Sequence, residues 1–329
     1  MTKNNKGRAG CHQATPNTTD PRNSIATAKS TTPEIYRAGT LKRIRRTGSQ
    51  INQLDAQILD VLKADHPQSV RHVFYRMTDP RLPEPVEKSD RGYRHVQSRC
   101  VALRRSGRLK YNWIADMSRV GYHTTVFDDA ADFINRWKGH YRADLWRDSD
   151  YRCEVWAESR SIASVLMADC KELAVSLYPC GGFSSLSFVH AAAQQHNSSG
   201  DTRPLKVIYI GDYDPAGVLI DVALERELRL HLNDSIGLEF DRIAINDEQI
   251  EAYDLPTKPR KAGDKRSQHI EYSVEAEAMP AADLRRLLRW NIEILLPENA
   301  LAVATAAEES ERAHLTRMAE LLGADDGER

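Results

Sequence analysis

Four short apolar runs in the second half of the chain, Cys153 to Ala157, Val175 to Pro179, Leu205 to Ile210 and Phe240 to Ile245, alternate with stretches of helical character. Those helices are expected over Ser161 to Leu173, Leu186 to Gln195 and Ala216 to Leu232. Strands that alternate with helices of this length imply a largely parallel sheet, and the working edge of such a sheet lies at the carboxyl ends of its strands. Two more helices, about Ala281 to Leu295 and Glu298 to Leu322, follow before a polar tail. The sequence contains no internal repeat.

The first half has a different grammar. From Gln50 a helical period places Ile51, Leu54, Ile58, Val61 and Leu62 on one face. After His66-Pro67, Ser69 is the expected N-cap of a second helix, Val70 to Met77. A Pro-rich turn leads to a third helix, Asp90 to Arg105, which should bury Tyr93, Val96, Cys100 and Leu103 and stop at Gly107. Three short helices so spaced suggest a helix-turn-helix or winged-helix unit. A connecting helix over Asp129 to Arg142 should turn Phe133, Ile134 and Trp137 toward a core. The fold class expected is α+β: a helical winged-helix domain at 49–119, a connector at 120–150, an α/β domain at 151–296, and a C-terminal helix and tail at 297–329.

The formal net charge of -1 hides a strong polarity along the chain. Residues 1–50 carry ten Lys and Arg against two acids, residues 51–150 a surplus of three positive charges, and the remainder a surplus of twelve negative ones. Residues 1–48 have scarcely any large apolar side chain, so burial cannot offset the entropy of ordering them, and a disordered basic arm is expected. Between 91 and 110 stand Arg91, Arg94, Arg99, Arg104, Arg105, Arg108 and Lys110 with no carboxylate, the signature of a phosphate-facing helix. No apolar stretch is long enough to cross a bilayer. Five scattered cysteines with no Cys-x-x-Cys spacing argue for reduced thiols and against a structural zinc site. A soluble cytoplasmic, nucleoid-associated protein is expected.

Glu158 follows the first apolar run, and Asp212 and Asp214 follow the third, in Gly-Asp-Tyr-Asp-Pro-Ala-Gly. Three carboxylates converging at strand ends repel one another, and a hard divalent cation, Mg²⁺ above all, resolves that repulsion. The histidines show no ligand spacing. Glu275 and Glu277 read equally well as site residues or as solvated surface.

Glu158 with its Gly-Asp-Tyr-Asp-Pro-Ala-Gly partner resembles a Toprim domain, the metal-binding fold of topoisomerases and primases. The Asp-x-Asp-Pro-x-Gly form, and Ser69-Val70-Arg71-His72-Val73-Phe74-Tyr75-Arg76 upstream, narrow this resemblance to the topoisomerase VI A subunit and its meiotic recombination relatives. Gly-Gly-Phe-Ser-Ser-Leu-Ser at 181–187 and Val-Glu-Ala-Glu-Ala-Met at 274–279 are similar to compact bacterial and phage versions. The resemblance spans about Gln50 to Leu296.

It implies a Mg²⁺-dependent DNA-cleaving transesterase in which Tyr75 attacks a DNA phosphorus to give a 5′-phosphotyrosyl link. Arg71 and Arg76 would hold the phosphate, Arg71 lying one helical turn before Tyr75. Glu158, Asp212 and Asp214 would hold the metal, with Glu158 also counted as catalytic. Double-stranded DNA, a homodimer and a GHKL-type ATPase B subunit are the implied partners. ATP itself should not be bound, since the chain has no Gly-rich nucleotide loop. Relatives commonly carry Lys where Ser159 stands here. Two other readings remain open: a Toprim nuclease using metal-bound water with Tyr75 structural, and a non-cutting DNA-binding protein.

Overall fold

The computed structural model describes residues 46–116, 124–182, 184–260, 266–267 and 269–325. The expected basic arm therefore lies outside the described residues, apart from Arg46 and its immediate successors, as do the start of the connector, Phe183 and the final tail.

Three helices open the described chain: α1 (Gly48–Ala64), α2 (Val70–Met77) and α3 (Asp90–Arg105). Each start is set by a hydroxyl cap. Thr47 forms a capping box with Gln50, Ser69 accepts from the His72 N–H, and Ser89 accepts from the Gly92 N–H. The α3 exit is read through Gly107 at φ 73°, a conformation that glycine adopts without a Cβ penalty. Gln68 and Ile114 form a single parallel bridge, and no two-stranded wing occurs among the described residues of this region.

α4 (Ala130–Trp137) leads into β1 (Arg152–Ala157), α5 (Arg160–Glu172), β2 (Ser176–Pro179), α6 (Leu186–Asn197), β3 (Leu205–Ile210), α7 (Gly217–His231) and β4 (Leu238–Ala244). The four strands form one sheet in the order β2-β1-β3-β4, parallel at every pairing. The chain continues through α8 (Asp247–Ala252), β5 (Lys258–Pro259), β6 (Tyr272–Ser273), α9 (Ala281–Glu293) and α10 (Ala300–Asp325), with β5 and β6 pairing antiparallel. The molecule is thus α+β, with its parallel sheet where the alternating pattern of the sequence placed it.

Side chains alternate across the sheet as period two requires. Val155, Ala157, Ile208 and Ile210 face a core shared with Ile162 and Leu166 of α5 and Leu284, Leu288 and Ile292 of α9. Trp156, Val207 and Tyr209 face the opposite layer, formed by Val189 and Ala193 of α6 and Ile220, Leu224 and Leu228 of α7. Leu54, Ile58, Val73, Met77, Val96 and Leu103 from the first three helices belong to the same buried cluster as the α5 and α9 layer. Helical segment and sheet therefore share one core.

The connector departs from expectation. Phe133 and Trp137 are 48% and 45% exposed, not turned to a core. In α4 it is Ala131 that is buried, close to Gly323 of α10, while Phe127, Phe133, Trp137 and His140 pack on one another as a ladder of rings at the surface. Close approach of a long helix favours the small residue at the contact and leaves the aromatics to the outside. No helix among the described residues is long and apolar enough to cross a membrane. Cys100, Cys153, Cys170 and Cys180 are free thiols; Cys11 lies outside the described residues.

Candidate active site

β1 and β3 are the two inner strands, and the residues that follow them begin the site. The Glu158 N–H donates to the Ile210 carbonyl at 2.8 Å, and its own carbonyl accepts from Gly181 at 2.8 Å and Gly182 at 3.2 Å. Its carboxylate oxygen Oε2 accepts the Asp212 N–H at 2.8 Å. A Cβ on Gly211 would fall 2.6 Å from that oxygen, and one on Gly217 would fall 2.2 Å from the Asp212 carbonyl oxygen. Both glycines of the Gly-Asp-Tyr-Asp-Pro-Ala-Gly segment are thus required by close packing.

The two aspartates diverge. Asp212 Oδ1 accepts the Ala276 N–H at 2.8 Å. Asp214 Oδ1 accepts from Ala216 at 2.8 Å and Gly217 at 2.6 Å and so caps α7. A third carboxylate approaches Asp212 from the segment 274–278, which is drawn in by paired backbone bonds between Tyr213 and Val274 at 2.9 and 2.8 Å. This is Glu277, 4% exposed, which accepts from the Ser161 hydroxyl and lies 3.4 Å from Ser159 Oγ. The hydroxyls of Ser159 and Ser161 thus both serve the Glu277 carboxylate.

Burial raises the Glu158, Asp212 and Glu277 carboxyls above their usual range. For Asp212 the next causes are the charges of Glu277 and Glu158. The cluster is short of positive charge. Even so, among the described residues no three or more His, Cys, Asp or Glu side chains are arranged to hold an ion. Asp214 gives one oxygen to the helix start, yet its charge is among the causes that raise the Glu158 carboxyl.

Arg242 of β4 anchors the loop between Gly211 and Gly217. Its guanidinium donates to the carbonyls of Gly211 at 3.2 Å, Gly217 at 3.2 Å, Ile245 at 3.1 Å and also Asp212, and pairs with Asp221 at 2.7 Å. Nothing in a strand pattern distinguishes such an arginine from a surface one.

Tyr75 sits on α2, 4% exposed, tilted against Phe74. Burial, and then the Glu275 carboxylate beside it, push its phenol above the usual range. Glu275 is paired with Arg71 and, at 2.6 Å, with Lys258. Burial alone would raise the Glu275 carboxyl, but the hydrogen bonds and charges of Lys258 and Arg71 outweigh it and hold the group below its usual range. Lys258 and Lys88 place their ammonium groups 5.8 and 6.0 Å from the Tyr75 ring centre. Arg76 donates to the Ala278 carbonyl, and so ties α2 to the same segment. Tyr75, Arg71 and Arg76 thus all meet residues 275–278, the stretch that also feeds Asp212. Both glutamates of that stretch are engaged, Glu275 in ion pairs and Glu277 in the buried cluster, so neither is a solvated surface acid.

The basic residues of 91–110 divide into two sets. Arg99 grips the buried Asp55 through two bonds of 2.7 and 2.8 Å, and Arg104 donates to the carbonyls of Tyr111 and Ile114. Arg108 lies 3.5 Å from the same Asp55 but remains half exposed. Arg91, Arg94, Arg105 and Lys110 are exposed.

No protein-family model, no curated protein and no solved structure matches this chain.

Proposed function

We propose that the chain is a DNA-cleaving transesterase of the kind found in the topoisomerase VI A subunit, built from a helical DNA-binding unit and a Toprim-like sheet. What carries this reading is the meeting of Tyr75 and Arg71 with residues 275–277, one step from Asp212 and Glu158 at the carboxyl ends of β1 and β3. In the reaction proposed, the Tyr75 oxygen forms a bond to a DNA phosphorus as the bond from phosphorus to the 3′ oxygen breaks; the phenolic proton passes to water, and the leaving oxygen takes a proton from solvent to become a hydroxyl. A phenol is a poor nucleophile until a base or cation assists it. Arg71 and Lys258 supply positive charge where the phosphate would sit.

The donor chemistry suits Mg²⁺: all oxygens, drawn largely out of water, with Asp212 repelled by both Glu277 and Glu158. Glu158, Asp212 and Glu277 would hold it, with Asp214 able to join through Oδ2 while Oδ1 keeps its bonds at the helix start. Bound there, the ion would neutralise charge developing on the leaving oxygen. Ser161 keeps Glu277 oriented, and Arg242 keeps the 211–217 loop in register. Double-stranded DNA and a second copy of the chain are the proposed partners, with an ATPase subunit required for strand passage.

The burial of Tyr75 favours a second reading, a hydrolytic nuclease in which this tyrosine is structural. Plasmid incubated with the protein and Mg²⁺, then denatured, separates the two. The transesterase leaves protein attached to 5′ ends, and Tyr75→Phe abolishes both the adduct and cutting. Cutting that survives in Tyr75→Phe without any adduct selects the nuclease.

A further inference from the structure

We propose that Glu275 stands where a DNA phosphate belongs, so that Arg71, Lys258 and Lys88 form a phosphodiester-binding site beside Tyr75 that the chain's own carboxylate fills until DNA displaces it. The inference rests on the reading of Tyr75 as the nucleophile and adds the ligands of its phosphate and a resting state.

The geometry is that of an anion site already filled. Both oxygens of Glu275 are engaged, Oε2 by the Arg71 guanidinium and Oε1 by Lys258 Nζ at 2.6 Å. A carboxylate held through two oxygens presents the same pair of acceptors as the two non-bridging oxygens of a phosphodiester. Lys88, held by the Thr257 carbonyl at 2.7 Å, brings a third cation to 6.0 Å from the Tyr75 ring centre. Arg71 and Lys258 are 40% and 41% exposed at their side chains, so a ligand arriving from solvent reaches them first. Tyr75, at 4%, is covered. The contact thus shields the nucleophile and occupies its cations at once, and a polyanion is the ligand class that exchanges with it.

A purely structural ion pair would show the same distances, so the test reads counterion release. Affinity of the full chain for a short blunt duplex is measured against salt concentration, with EDTA present so that no cutting occurs. Glu275→Gln should bind more tightly, and its log–log salt slope should steepen by about one to two, roughly 0.9 for each freed cation that meets a phosphate. Adding Lys258→Gln to that variant should take away part of the gain, while Glu271→Gln, an exposed acid nearby, should leave the slope unchanged. An unchanged slope in a folded Glu275→Gln overturns the proposal. If that variant does not fold, Glu275→Asp, which withdraws the carboxylate by one methylene, is read by the same criterion. A parent that forms the covalent adduct while the slope stays fixed refutes this inference alone. Absence of duplex binding in parent and variant refutes the functional reading and this one with it.

Discussion

Gly211 and Glu158 touch so closely that a Cβ on the first would stand 2.6 Å from Oε2 of the second and 2.7 Å from the Tyr209 ring. Gly211→Ala must therefore move the carboxylate or the ring, since neither the strand end nor the aromatic can withdraw far. The expected cost is about 1–3 kcal/mol of stability. A larger effect is expected on DNA cleavage, because Glu158 loses its position relative to Asp212. Chemical denaturation and a plasmid-cutting assay run side by side would show the two effects separately; wild-type cutting in a destabilised Gly211→Ala would detach Glu158 from the chemistry.

Glu158, Asp212 and Glu277 crowd negative charge into a buried space. Asp212→Asn removes one charge and should raise the melting temperature at neutral pH when divalent cations are chelated. Mg²⁺ should raise the melting temperature of the parent, by an amount equivalent to about 2.7 kcal/mol at a hundred times its dissociation constant. In Asp212→Asn that response should largely vanish. Thermal scans with EDTA and with Mg²⁺ test this, and equal responses in both proteins would remove Asp212 from the ion's ligands.

His72 is buried beside Arg76 and Arg285, with Nδ1 on Ser69 Oγ at 2.9 Å. Burial first, and then the two arginines, lower its pKa from 6.5 to about 3. The unfolded chain thus takes up a proton that the native state refuses. Its contribution to stability is complete above about pH 6.5 and is lost toward pH 3, at roughly 1.4 kcal/mol per pH unit. Unfolding free energies of the parent and of His72→Gln, measured from pH 7 to pH 4, should converge or cross by that slope. A constant difference between them would show that His72 does not titrate as described.

Arg99 and Arg94 lie five residues apart on α3 and should behave oppositely. Arg99→Ala strips the buried Asp55 of its two-bond partner and should cost about 3 kcal/mol, because a buried charge is left short of compensation. Arg94→Ala should leave stability nearly unchanged and flatten the salt dependence of duplex binding by about 0.9. Urea unfolding with salt-dependent binding of both variants checks the division; loss of DNA contact in Arg99→Ala at full stability would reverse it.

Arg242 binds four carbonyls and one carboxylate around the 211–217 loop. Arg242→Met should speed amide exchange through Gly211 to Gly217 and lower cleavage, with duplex affinity unchanged. Exchange confined to the mutated strand would deny it this positioning role.

The sequence made the sheet, its strand order of appearance and the first three helices legible because each rests on local information: periodicity, a hydroxyl cap, a glycine exit. α3 spans Asp90–Arg105 as its pattern indicates. The glycines around Asp212 were legible as a motif, yet their reason, contacts with Glu158 and the Asp212 carbonyl, is not local. What pattern reading missed depends on long-range meetings. Arg71 and Glu275 are 204 residues apart, and no spacing rule pairs them. Arg99 looked like every other arginine of its cluster until Asp55 of α1 claimed it. Phe133 and Trp137 followed a helical period, but the close approach of α4 to α10 is made at Ala131, and both rings stay about half exposed. The short β5–β6 ribbon, which delivers Lys258, carries too few residues to show an alternation.

The order β2-β1-β3-β4 has a further consequence for how such a chain can change over time. Glu158 and Asp212 follow the two inner strands, each hydrogen-bonded to neighbours on both sides, and Arg242 of the outer strand β4 holds the loop of Asp212, while no side chain of the site stands on β2. Lengthening or trimming material along the β2 rim would leave the spacing of Glu158 and Asp212 intact, so novelty in partner or substrate is most easily acquired there. The chemistry would be inherited from the middle of the sheet and its β4 side, and the diversity written along the β2 border.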